Sequence, residues 1–177
     1  MGKAKAFSPV KLICGIIANR LDLFSVAESE LKKVFGEVDL KSEFFPFDYT
    51  DYYAKQMGPG LKRVFLSFHE LVQPEELAAI KIKTNRLEEK IKMGAALEER
   101  AVNLDPGYLT ASALIMATVK DFSHRIPLRD GIYAHLELLF GKDEIRVLPW
   151  TYPDFNKPDY HPFFLKVRKI YLQQKKI

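Results

Sequence analysis

The feature that most restricts this chain is VKLICGIIA, residues 10–18, an apolar run rich in Val and Ile and broken by one lysine. It shows no alternation of polar and apolar residues, so it reads as a strand covered on both faces. A helix crossing a bilayer needs about 20 apolar residues, so the run is no anchor. Residues 1–9 hold two lysines but no apolar stretch of the signal-peptide kind, and a cytoplasmic protein without membrane attachment is expected. The single cysteine, Cys14, lies inside the run. An intrachain disulfide and a cysteine-built zinc site are thereby excluded, and a buried, inert thiol is expected.

The elements that follow come in a recognisable order. Asn19 or Asp22 starts a helix with Leu23, Ala27, Leu31 and Val34 on one side and Gly36 as its stop. LKSEFFPF (40–47) reads as a second strand, with Pro46 at an edge. Residues 48–60 read as a polar, tyrosine-rich connection, and KRVFLSFHEL (62–71) as a third strand. Pro74, Glu75 and Glu76 suit the positive start of a helix. Leu77, Ile80, Thr84, Leu87 and Ile91 then recur at helical spacing up to Gly94. With AVNLD (101–105) as a further strand, the expected fold class is α+β, built on a ferredoxin-like βαββαβ core. Residues 113–120 fit either helix or strand. Residues 122–128 and 131–140 flank an Arg129-Asp130-Gly131 turn, and Gly141-Lys142-Asp143 leads into a strand at 144–148. A basic amphipathic helix spans Phe163 to Lys175, within about 161–175. The core is thus extended by C-terminal antiparallel hairpins and a terminal helix, in one domain, 1–177, behind a basic tail at 1–8. The apolar face of the last helix, Phe163 to Tyr171, is a candidate surface for a second copy of the chain.

Charge narrows the partners. The formal net charge is +4, but the excess sits at the two ends. Lys3, Lys5, Lys11 and Arg20 stand in the first twenty residues, and Lys166, Arg168, Lys169, Lys175 and Lys176 in the last twelve, without an acid in either stretch. The body between them is acidic overall. A groove that tracks nucleic acid would be basic through the fold itself, so nucleic acid is not the expected partner.

The common reaction motifs are absent. No G-x-x-x-x-G-K-[ST] provides a phosphate cradle, no G-x-G-x-x-G follows the first strand, and G-x-S-x-G and H-E-x-x-H do not occur. Asn156-Lys157-Pro158-Asp159 matches an N-K-x-D tetrapeptide, but it follows a proline-rich turn and has no phosphate loop to serve. His135 and Glu137 share a strand face with Tyr133, a spacing that suits a metal and equally a solvated face. The densest polar stretches are NLDPGY (103–108) and KDFSHR (120–125). Asp105-Pro106-Gly107 has good turn chemistry at a strand end. Should those strand ends be neighbours, Asp105, Lys120, His124 and Arg125 would converge on an anionic ligand. Arg125 would be its forked clamp and His124 a candidate catalytic acid or base. Tyrosines at 49, 52 and 53 would form a rim able to stack on a ring. Residues 81–85 read as the solvent side of a helix, and WTYPDF (150–155) as an aromatic segment closing one end of the core.

FPFDYTDYYAKQMG (45–58), IKIKTNRLEE (80–89), VNLDPGYLT (102–110), TVKDFSHRI (118–126), GIYAHLELLF (131–140) and LPWTYPDF (148–155) resemble a family of prokaryotic proteins. That family is catalogued as a domain of unknown function, and its members are often labelled "GTP-binding protein" in genome annotation. The resemblance runs over nearly the whole chain, with DPGYLT and PWTYPDF its most specific pieces; Gln56 departs from the acid expected after Lys55. It implies Lys55, Asn85, Asp105, Tyr108, Lys120, His124 and Arg125 as positions of interest. It names no cofactor. The expectation is therefore a domain that binds a small anionic ligand, nucleotide- or phosphate-like. A partner-binding module, GTP binding and an RNA-associated domain are the alternatives.

Overall fold

The computed structural model describes residues 2–97, 99–142 and 144–175. The side chains of Asp51 and Tyr52, the turn residue Asp143 and the terminal charge of Lys176 lie outside the described residues. In chain order the elements are β1 (Val10–Ala18), α1 (Leu21–Phe35), β2 (Val38–Lys41), β3 (Phe45–Pro46), α2 (Asp51–Met57) and β4 (Lys62–Val72). After one 3₁₀ turn come α3 (Leu77–Gly94), β5 (Asn103–Leu109), β6 (Ala113–Thr118), β7 (Ile126–Arg129), β8 (Ile132–Phe140) and β9 (Ile145–Val147), and after a second, α4 (His161–Gln174). All strands belong to one sheet in the order β2-β4-β1-β5-β6-β8-β7, with β3 added to β4 and β9 to β8. Every pairing is antiparallel.

β1 runs through the middle of that sheet and is buried along its whole length. Its even residues, Leu12, Cys14, Ile16 and Ala18, face α1 and α3 through Leu23, Phe24, Leu31, Ile80 and Leu87. Its odd residue Ile13 faces α4, whose Phe163, Phe164, Val167 and Tyr171 pack on Phe65, Leu114 and Leu138. The run without alternation is therefore explained by helices on both faces. Gly36 ends α1 at φ 87°, its N–H bonded to Lys32 O at 2.9 Å. Pro74 opens the turn before α3, where the Gln73 and Glu76 side chains close a capping box.

Five expectations change. The apolar face of α4 is turned onto the sheet and buried, so it offers no surface to a second copy. The segment 40–47 is two short strands, and the tyrosine-rich connection contains α2, whose Met57 packs with Ile17, Phe47 and Leu61. Of the expected 122–128 strand only the part from Ile126 onward pairs with β8, as β7 (Ile126–Arg129), through an Asp130-Gly131 turn with φ of 56° and 73°. Residues 103–109 run as strand straight through Asp105-Pro106-Gly107, so the tripeptide is no turn. Among the described residues no helix is long and apolar enough to cross a membrane.

Candidate functional site

The site begins with what β5 does in place of turning. It pairs with β1 along its full length but with β6 only from Gly107 to Leu109. Over residues 103–106 the two strands part. In an antiparallel strand, alternate residues send both backbone groups to the same side. Leu104 shows which side: its N–H donates to Glu88 Oε1 at 2.7 Å and its carbonyl accepts from Lys81 Nζ at 2.8 Å, both from α3. Pro106, two residues on, turns its nitrogen to the same open edge, where the missing N–H forfeits no ladder bond. Gly107 stands at the pinch; a Cβ there would lie 2.5 Å from Ile115 O and 2.5 Å from Met116 Sδ. The sequence Asp-Pro-Gly thus lets two strands separate, with Asp105 facing into the gap.

The gap is a cavity of about 590 Å³. α3 supplies Lys81, Asn85, Glu88 and Glu89; β5 supplies Asn103 and Asp105; residues 116–120 form the opposite wall. Tyr49, Thr50 and Tyr53 close it from the α2 side, and Tyr152 to Phe155 from the loop after β9. Arg63 of β4 is buried at its floor and bonded to Asp154 and, at 2.8 Å, to Asp105 Oδ2. The guanidinium also sits 4.8 Å from the Phe47 ring and 5.4 Å from that of Phe155. Burial raises the Asp154 carboxyl above its ordinary range although Arg63 opposes the shift. The same holds for Glu88, where burial outweighs Lys81 and Arg100. Burial also pushes the Tyr53 phenol up, so it stays protonated.

Two donors on residues that line this cavity have no acceptor and almost no accessible surface of their own: Nδ2 of Asn103, a residue 2% exposed, and Nε of Arg63. Among the described residues, five buried side-chain polar atoms lack a hydrogen-bond partner, and the other three are His135 Nε2, Glu137 Oε2 and Tyr160 OH. Two of these five, on Asn103 and Arg63, belong to residues of the cavity wall, whereas His135 Nε2 and Glu137 Oε2 behind it face each other at 3.0 Å. In a fold that otherwise answers its buried polar groups, such clustering marks a place built for something else.

Behind the wall lies a network of rings and charges. His135 lines the cavity and stacks on Tyr152 at 5.0 Å. Arg125 Nε donates to His135 Nδ1 at 3.2 Å, which places the imidazole proton on Nε2. Nε2 and Glu137 Oε2 are 3.0 Å apart, a contact whose angle falls short of a hydrogen bond. Glu137 has no opposed partner on β6, because the register shifts there, and its Oε1 accepts the Tyr152 N–H at 2.7 Å. Burial raises its carboxyl despite His135. His124 stacks on Trp150 at 5.2 Å; partial desolvation, reinforced by His135 and Arg125, lowers its imidazole.

Of the residues singled out in the sequence, Asp105, Asn85 and Lys120 meet in the cavity. His124 and Arg125 stand one layer back. Arg125 spends its donors on His135, on Lys120 O and on Tyr152 OH, tying the 120–125 loop to the wall where a ligand clamp was expected. Tyr108 packs on the other face of the sheet beside the Leu77 and Ala78 cluster, and Lys55 is exposed on α2 outside the lining. His135 is at the wall with Glu137 behind it, and the described residues hold no group of three or more His, Cys, Asp or Glu able to hold a metal ion. Asn156 and Asp159 do not line the cavity. Lys81, expected in solvent, is buried.

Sequence reading overlooks Arg63 and Glu88, and does not single out Asn103, Tyr152 or Asp154 within the segments it names. A signal existed for two of them. Arg63 lies in register with Phe65 and Ser67 on one face of a strand that is otherwise buried. Glu88 follows Lys81 and Thr84 at helical spacing, next to the apolar stripe.

No curated protein and no solved structure matches the chain. A family model matches residues 8–171, most of its length, and on that match the chain belongs to the family described as a domain of unknown function, DUF4416.

Proposed function

We propose that the chain binds a small ligand in the cavity where β5 and β6 separate, through an acceptor-bearing group, neutral or singly anionic, seated among Asn103, Arg63, Lys81 and Lys120. The observation that carries this reading is the pair of unanswered donors, Asn103 Nδ2 and Arg63 Nε, at a cavity of about 590 Å³. A buried donor without a partner costs about 1–3 kcal/mol, which an acceptor on the ligand would recover once the side chain turns toward it. The volume lies within the usual range for small-molecule sites, and the aromatic lining with a few polar groups is typical of them. No reaction is assigned to the site. We also read β1, α1, β2, β4, α3 and β5 as a ferredoxin-like core, on the support of the order β2-β4-β1-β5 and of two helices on one face.

A thermal-shift screen of small carboxylates, phosphates and nucleotides on the intact chain tests the reading. A binding ligand stabilises by RT ln(1 + [L]/Kd), about 2.7 kcal/mol at a hundredfold excess over Kd. The expected result is a rise in Tm that Asn103→Ala removes. A rise that persists unchanged in Asn103→Ala and Asp105→Asn places the ligand elsewhere and ends the proposal.

A further inference from the structure

The cavity's charges are balanced before any ligand arrives. Arg63, Lys81, Arg100 and Lys120 face Asp105, Asp154, Glu88 and Glu89. Arg63 is held by Asp105 and Asp154, and Arg100 by Glu88, so at least two of the four cations are already engaged by carboxylates. A polyphosphate would bring several negative charges against four carboxylates in a partly buried space, where each such contact is worth several times its value in water.

The backbone offers polyphosphate little. Phosphate sites draw on helix N-termini and glycine-rich nests of N–H groups. Among the described residues no glycine lines the cavity, α3 enters it through residues 81–89, well past its first turn, and the one helix start that reaches it, at Thr50, opens a helix of only seven residues.

What the walls do offer is flat. Tyr53, Tyr152 and Phe155 line the cavity along with Phe47 and Tyr49, and such rings receive another ring by stacked or edge contacts. Asn103 and Asp105 are alternate residues of β5, so their side chains leave the same face about 7 Å apart. Asn103 brings a donor without an acceptor. Asp105 uses Oδ2 on Arg63 and, with 23% of its side chain exposed, keeps acceptor capacity toward the cavity. An amide donor beside a carboxylate acceptor matches a ring edge that carries a carbonyl next to an N–H.

We infer that the ligand is a planar heterocycle with a carbonyl and an N–H along one edge and at most one negative charge, and that polyphosphates are discriminated against. This inference rests on the reading of the cavity as a ligand site.

The test is calorimetric titration of the intact chain with hypoxanthine, inosine, inosine monophosphate and inosine triphosphate, with uracil as a second carbonyl-bearing ring. Indole, whose edge has an N–H and no acceptor, is the control. Hypoxanthine, inosine and uracil are expected to bind more tightly than indole, and the triphosphate at least about tenfold more weakly than inosine. Asn103→Ala is expected to weaken the carbonyl-bearing rings about tenfold and leave indole unchanged. Should that variant fail to fold, Asp105→Asn serves, with the carbonyl-bearing rings weakened about as much. Tighter binding of the triphosphate, sensitive to Asn103→Ala, would overturn this inference and keep the cavity as a ligand site. If neither the rings nor the phosphates bind at about 1 mM, both readings fall.

Discussion

β1 buries a cation in its neighbourhood at each end, and the two are treated differently. At its start, Lys11 is fully buried and bonded to Asp39 and, at 2.9 Å, to Gln174 Oε1 of α4. Ser67 completes Asp39, and Gln174 Nε2 reaches His69 O at 2.9 Å. None of the buried polar atoms that lack a partner belongs to this cluster. At the other end, Arg63 also lies between carboxylates, but its Nε and the neighbouring Asn103 amide are unanswered and a cavity opens beside them. A buried charge whose every donor and acceptor is answered holds layers together. One left incomplete beside open space is where a ligand would complete it.

The comparison breaks most readily at the two cations. Removing one partner of a buried ion pair is expensive, because the other charge stays behind. Arg63→Met strands two carboxylates and is expected to destabilise by about 4 kcal/mol; Lys11→Met strands one that is partly exposed, at about 3 kcal/mol. Urea denaturation measures both. The contrast lies in binding: at temperatures where both variants are folded, Lys11→Met should keep the ligand affinity of the parent and Arg63→Met should lose it. Equal losses of affinity would show that the two clusters do the same job.

The gap itself is tested next. Gly107→Ala drives a Cβ into Ile115 O and Met116 Sδ, so β5 and β6 must move apart at their pinch. Overpacking of this kind costs about 2 kcal/mol, read from the denaturation midpoint. Binding should weaken along with stability, because the pinch fixes the angle at which the strands diverge. A variant as stable as the parent would mean the strands part without help from Gly107.

How much of this the residues announce depends on the distance over which the cause acts. β1 is legible to the residue because its apolar run is its own evidence, and Pro74 and the period of α3 place that helix correctly. Asp105-Pro106-Gly107 misleads because its local chemistry suits a turn. Only the pairing of β5 with β1 on one side, and with α3 side chains on the other, makes it an opening in a sheet. α2 is hidden for a similar reason: residues 51–57 pair polar and tyrosine residues with no helical stripe, and the helix is held by Met57 against Ile17 and Phe47. Asp105 and Lys120 are visible as polar residues in dense stretches, and Asn85 only through the family resemblance. Arg63 is legible only in part: a charge inside a strand pattern reads as a solvent-facing position, although its register with Phe65 and Ser67 on a buried face speaks against that.

A gentler perturbation separates the two ends by pH. Burial lifts Asp154, Glu88 and Glu137, all at or behind the cavity, above ordinary carboxylate values. A carboxyl raised in the folded chain keeps its proton after the unfolded chain has released its own. Its contribution to stability is therefore greatest below about pH 4 and declines as pH rises through the ordinary range toward the raised value. Glu137→Gln removes one of the three groups, so the decline in urea midpoint from about pH 4 to 7 should become shallower than in the parent. A decline as steep as before would mean that Glu137 ionises as it does in water.

The smallest expected change decides the most. Asn103→Ala removes a buried amide whose Nδ2 bonds to nothing. An unanswered donor costs about 1–3 kcal/mol in the folded state, and losing it offsets the packing lost with the side chain, so stability should move by less than about 1 kcal/mol. At the Lys11 end no single truncation can behave this way, since each side chain there answers another. If Asn103→Ala instead destabilises by about 2 kcal/mol or more, the amide is engaged within the protein itself. The β5–β6 opening would then be a second closed cluster, alike in kind to the one at Lys11. If stability is unmoved while affinity for a carbonyl-bearing ring falls, the donor was held in reserve for the ligand, and the difference between the two ends of β1 is functional.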